Sequence, residues 1–268
     1  MEVLGYVLAA LVGISLGLIG GGGSILTVPI LVYVLGINPV LATSYSLFIV
    51  GSTSMVGAVN NYRKGLVSIK TALLFGLSSI TTVFVTRKLI IPKIPAVLIS
   101  TEHFHITQSI ATMVLFAILM LLASIAMIRE KKTVANTDEY IVQKDTHIPK
   151  LLLYGVVVGL ATGFLGAGGG FLLIPALVLM LKMPMKQAVG TSLLIIALNS
   201  LIGFTGDIGH FKIDWKFLFI MTLVAVAGIF IGGFLAKKID GNKLKKAFGW
   251  FVLVMGIYIM IKELFFAA

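Results

Sequence analysis

Two runs of glycine carry the strongest chemical signal in this sequence. Gly20-Gly21-Gly22-Gly23 precedes Ser24, and Gly166-Ala167-Gly168-Gly169-Gly170 precedes Phe171. Each run interrupts apolar sequence. Each therefore breaks a helix and frees the first backbone N–H groups of the next one. Such an N-terminus carries roughly half a positive charge and binds anions. Two of them together can hold one oxyanion. Polar side chains recur at matched places further on: Ser46 and Thr53 in the first half, Ser192 and Asn199 in the second, with Thr191 beside them. A spacing of seven residues is close to two helical turns, so each pair shares a helix face. These groups can donate to substrate oxygens. They can equally bond to other helices or to nearby carbonyls, which is the commoner outcome for any one of them. Thr43, Ser44, Tyr45 and Asn60 are weaker candidates of the same type.

Other chemistry finds little support. There is no nucleophile–base pair, no phosphate-binding loop and no zinc signature, so neither an enzyme nor a bound cofactor is expected. Glu102-His103-x-His105 reads as an interfacial cap rather than a metal site. Asp207, His210 and Asp214 read as solvated or capping groups, with proton coupling the lesser reading. No acid and no Lys or Arg is expected in the middle of an apolar stretch. Buried carboxylates commonly mark proton or cation routes. Their absence favours an anion held by dipoles and hydroxyls, with cytoplasmic lysines raising its local concentration.

The elements that must position these groups follow from composition. Of 268 residues, 59% are hydrophobic and 12% charged, against about 25% charged in soluble domains. Lipid must be the solvent for much of this surface. The net charge of +11 comes from basic residues in loops between apolar runs. That is a topological signal rather than a nucleic-acid one. The absence of cysteine removes disulfides and thiolate metal sites. The first apolar run starts at residue 3 and is read as a membrane segment, not a cleaved leader.

The apolar segments are 3–19, 24–36, 39–59, 66–86, 104–128, 151–165, 171–181, 185–206, 215–236 and 244–266. Crossing a bilayer core takes roughly 20 helical residues. The segments flanking each glycine run are shorter than that. The two halves align at a constant offset of 146: Gly13, Gly17, Gly20 and Pro29 match Gly159, Gly163, Gly166 and Pro175. Late in each half the offset falls to 133, Arg129 matching Lys262, so the first half carries an insert, placed at Ile91–His103 as an interfacial loop. The expected organisation is an N-terminal repeat at 1–130, a linker at 131–150 and a C-terminal repeat at 151–268. The fold class is all-α integral membrane, with two repeats of about five helical segments.

If each glycine-split pair crosses once, the repeats are parallel and Lys and Arg divide almost evenly between the two sides. If each pair goes in and returns, the repeats are inverted. Only Arg87, Lys88, Lys93, Lys212, Lys216 and Lys262 then lie opposite the remaining basic residues. The positive-inside rule prefers the second arrangement, with the linker cytoplasmic and both termini outside. Inverted repeats with helix breaks at matching places characterise many secondary transporters.

The duplicated pattern itself, Gly13-x3-Gly17-x2-Gly20-x-Gly22-Gly23 ending at Pro29 and again from Gly159 to Pro175, resembles the TauE/SafE sulfite-exporter family. Gly190-Thr191-Ser192-Leu193 is also similar to the family's small-Thr-Ser-Leu element. The resemblance implies a prokaryotic plasma-membrane carrier that exports small sulfur-containing or organosulfonate anions. In the first half Tyr45 stands in place of a small residue, which would narrow the cavity. An anion channel and a non-transporting membrane scaffold are the alternatives. The partners expected are a small anion and the lipid bilayer, not nucleic acid, and association between copies of the chain is compatible with this reading.

Overall fold

The computed structural model describes residues 2–21, 23–95, 97–101, 104–129, 148–166, 168–181, 183–236 and 241–265. The described residues form ten α-helices: α1 (Glu2–Ile19), α2 (Ser24–Pro29), α3 (Pro39–Arg63), α4 (Ile69–Val85), α5 (Gln108–Arg129), α6 (Ile148–Leu165), α7 (Gly170–Pro175), α8 (Met185–Asp207), α9 (Trp215–Leu235) and α10 (Gly241–Phe265). Three of them run on as a π-helical turn: α2 through Ile30–Val34, α4 through Thr86–Ile90, and α7 through Ala176–Met180. Among the described residues, five helical segments are long and apolar enough to cross a membrane. Their outer faces carry exposed apolar residues such as Leu73, Leu77, Phe219 and Leu223, as lipid-facing helices require.

α2 and its π-helical turn fold back along α1. Gly23 packs against Val12 and Leu16, while Gly5 packs against Leu35 near the other end. In the second half Gly169 packs against Val158 and Thr162, and Leu177 shares a cluster with Leu151. Each glycine-split pair is therefore a hairpin rather than a single crossing. A returning arm of 11 residues rises about 16 Å, roughly half a bilayer core.

The halves exchange partners. α1 packs on α9 and α6 packs on α4; α3 packs on α8. Gly13 and Gly17 meet Ala225 and Ile229, and Gly159 and Gly163 meet Ser79 and Thr86. Both pairings run parallel at close backbone approach, the packing role expected of Gly-x3-Gly. α3 and α8 run antiparallel, with Gly57 against Leu193, Gly51 against Leu201 and Gly203 against Leu47.

Tyr45 and Thr191 are repeat equivalents and do equivalent work. The Tyr45 hydroxyl accepts from the Asp214 N–H at 2.9 Å, and the Thr191 hydroxyl accepts from the Ser68 N–H at 2.9 Å. Asp214 and Ser68 are the N-caps of α9 and α4. The ring of Tyr45 also packs on the Phe217 ring, with centroids 5.7 Å apart.

Two boundaries differ from the sequence reading. The insert is not all loop: Ile91–Lys93 is a 3-10 turn, and Val97–Thr101 pairs antiparallel with Phe104–Thr107. These two short strands, β1 and β2, have Val, Ile, Phe and Thr, which favour strands. The linker ends earlier than expected, because α6 starts at Ile148. Most of the linker, together with Gly22, Glu102 and His103, lies outside the described residues.

Candidate functional site

The two glycine breaks meet. A Cβ on Gly21 would lie 2.7 Å from the Gly170 carbonyl oxygen, and one on Gly170 would lie 2.7 Å from the Gly21 Cα. Any side chain at either position would force the hairpins apart. Gly20 and Gly166 are repeat equivalents and both take left-handed backbone, at φ 76° and 66°. They rest on Val189 and Thr43, which are also repeat equivalents. The second break goes further than the first: Gly168 and Gly169 are left-handed as well, whereas Gly23 has φ −68°. For residues with a Cβ such a backbone costs roughly 1–2 kcal/mol.

Of the polar residues singled out from sequence, some are engaged by the breaks. Ser24 donates to the Gly21 carbonyl at 2.7 Å, and Ser192 donates to the Gly20 carbonyl at 3.0 Å and to the Val189 carbonyl at 2.9 Å. These hydroxyls satisfy carbonyls that a broken helix leaves over. Thr191 is engaged at the α4 cap. Ser46 and Thr53 are fully buried, and their hydroxyls have no partner among the described residues. Asn199 is also fully buried. Its amide donates to the Ser79 hydroxyl at 2.6 Å, while its carbonyl oxygen has no partner among the described residues.

Sequence reasoning missed two hydroxyls beside the second break. Thr162 faces Gly169, and the Ser200 Oγ would lie 2.9 Å from a Cβ on Gly168. Both are buried without a partner among the described residues. Ser200 follows Asn199 directly, so the helical face of α8 could have pointed to it. Leaving such groups unsatisfied costs roughly 1–3 kcal/mol each.

One expectation is overturned. Asp207 is neither solvated nor a cap: it is 1% exposed and accepts from Arg87 at 3.1 Å, the Arg87 side chain being 0% exposed. Arg87 sits in the π-helical turn that prolongs α4. The apolar stretch does not end at 86, because Leu89-Ile90-Ile91 continues it. A charged residue is therefore buried within a membrane helix, contrary to the sequence reading. Asp214 does cap a helix, accepting from the Phe217 N–H at 3.0 Å.

The chain matches the family described as Sulfite exporter TauE/SafE over residues 6–259. It belongs to the TauE/SafE sulfite exporter family. It is similar to a probable membrane transporter protein of Xylella fastidiosa, 30% identical over 93% of this chain and 91% of that one. It is also similar to the probable membrane transporter protein YunE of Bacillus subtilis, 27% identical over 97% and 94%. A probable membrane transporter protein of Methanocaldococcus jannaschii is 34% identical over 41% of this chain and 44% of its own. No solved structure matches. The TauE/SafE match spans both hairpins and both members of every exchanged helix pair. The duplicated glycine pattern is thus a property of a whole multi-pass membrane protein of a transporter family.

Proposed function

We propose that this protein is a secondary carrier that exports a small sulfur-containing oxyanion, sulfite or an organosulfonate such as sulfoacetate, by alternating access. The observation that carries the reading is two glycine breaks in mutual contact, with the buried hydroxyls of Thr162 and Ser200, unpartnered among the described residues, beside the second of them. An oxyanion needs donors on several sides. Hydroxyls and freed N–H groups supply them without a fixed opposing charge.

The antiparallel crossing of α3 and α8 supports inverted repeats. A twofold axis relating two antiparallel helices runs across them, so it lies in the membrane plane. The axis passes close to Thr53 and Asn199, and it also passes between the breaks. The site therefore belongs near the midplane, as in other carriers built from inverted repeats. The linker is then cytoplasmic and the membrane is the plasma membrane of a prokaryote. The conformation described here is the closed one, with Gly21 on Gly170. Parting the hairpins toward one side, then the other, opens the break N–H groups and the hydroxyls to water. The anion accepts from the hydroxyls that the closed state leaves unpartnered.

Flux of radiolabelled sulfite and sulfoacetate into proteoliposomes tests this. The expected result is uptake that saturates with concentration and is competed by unlabelled anion. Flux that never saturates would make the protein a channel. Absence of flux across sulfur oxyanions and carboxylates would contradict the reading.

A further inference from the structure

The buried ion pair belongs to no part of the repeat. Arg87 corresponds to Gly233 at the offset of 146, and Asp207 corresponds to Asn61. Nothing lies within 4 Å of a Cβ built on Gly233, and the Asn61 amide donates to its own helix, to the Gly57 carbonyl at 2.9 Å. The packing of α4 on α8 therefore does not call for the pair, since its mirror image, α9 on α3, is built without one. A desolvated pair of this kind is seldom kept for stability, because apolar residues of similar volume serve as well or better.

The pair is also incomplete. Only Nη1 of Arg87 bonds to Asp207. Nε and Nη2 are buried with no acceptor among the described residues. These two nitrogens share one edge of the guanidinium, and their N–H bonds run parallel. That edge matches two oxygens of one sulfonate, sulfite or carboxylate. Around the pair stand two more hydroxyls: Thr86, next in the chain, buried with no partner among the described residues, and Ser44, which lies within hydrogen-bond reach of the Asp207 carboxylate. The second glycine break begins here: Thr86 packs on Gly163, and Thr43, next to Ser44, packs on Gly166. Counted along α8, Asp207 lies about 12 Å from Asn199 by helical rise, so this is a separate station from the one at the crossing.

We infer that Arg87 is a substrate-binding residue: its free Nε/Nη2 edge takes two oxygens of the transported oxyanion at the mouth of the second break, with Asp207 holding the guanidinium in place. This rests on the proposed carrier function and adds an entry or exit station to it. A planar or pyramidal oxyanion fits that edge. A spherical anion such as chloride cannot use both bonds.

Binding by the purified full-length protein, followed as thermal stabilisation and by calorimetry, tests the inference with sulfite, sulfoacetate, malonate and chloride. The variants are Arg87→Lys, Arg87→Gln and the double variant Arg87→Gln with Asp207→Asn. The double variant removes both charges together and guards against misfolding from an orphaned aspartate. Wild type should bind an oxyanion and not chloride. Arg87→Lys keeps the charge but loses the two-bond edge, and affinity should fall about 30-fold or more. The double variant should be folded, with its melting temperature restored, yet still fail to bind. Oxyanion binding by the double variant at wild-type affinity would make the pair structural and overturn the inference, leaving the carrier reading intact. Arg87-dependent binding of malonate but of neither sulfur anion would do the reverse, removing the proposed substrate class while keeping Arg87. No oxyanion binding by wild type would overturn both.

Discussion

At the scale of single residues, two kinds of glycine can be told apart. Gly65 and Gly169 both take left-handed backbone, at φ 71° and 69°, but nothing lies within 4 Å of a Cβ at Gly65, while Thr162 and Val158 crowd Gly169. Asn tolerates this backbone better than most residues. Gly65→Asn should therefore leave transport and melting temperature close to wild type. Gly169→Asn should abolish transport at normal expression, which flux in proteoliposomes would check. Equal activity in the two variants would mean that the break tolerates side chains. Ser200→Ala removes a buried hydroxyl that has no partner among the described residues and should weaken sulfonate affinity by about 1 kcal/mol, read from the half-saturating concentration. Glycine positions and the Ser, Thr and Asn set could be read from sequence because they repeat. Arg87 and Asp207 could not, because they do not repeat, and because Arg87-Lys88 resembles the basic end of a membrane segment until the fold carries the helix past it.

At the scale of elements, the design is an exchange: each half ties the fourth helix of the other through the third. Tyr45 and Thr191 make those ties to the N-caps of α9 and α4. Tyr45→Phe and Thr191→Val should each lower unfolding stability by about 1–3 kcal/mol, the cost of an N–H left without its partner. Because the two sites are related by the repeat, the losses should be similar, and thermal unfolding in detergent would measure both. The sequence alone showed where helices lie, since apolar length and glycine runs set their ends. It did not show that a tyrosine and a threonine can fill equivalent roles, because only the fold reveals that both reach the same backbone position across the interface. Nor did it reveal the hairpin of β1 and β2. The prolines before it pointed to loop, but the Val, Ile and Phe positions fall into paired register across the two strands.

At the scale of the whole molecule, the proposed inversion of the repeats predicts corresponding loops on opposite faces of the membrane. Lys64 follows α3, and its counterpart at the offset of 146 is His210, after α8. Both are exposed. The chain has no cysteine, so Lys64→Cys and His210→Cys each give one labelling site. An impermeant thiol reagent should reach the thiol of the Lys64→Cys variant from the cytoplasm and that of the His210→Cys variant from outside; labelling of both from one face would rule out inversion. On the proposed inversion, Thr53 and Asn199 are equivalent positions at the antiparallel crossing of α3 and α8. The central claim, that an anion occupies this crossing and that it opens to water in turn, is tested most directly by Thr53→Cys. Thr53 is fully buried in the closed form. A small charged thiol reagent should nevertheless modify the introduced thiol in transporting proteoliposomes, and saturating sulfoacetate should slow that reaction. A thiol that never reacts, or one that reacts at the same rate with and without the anion, would contradict the account.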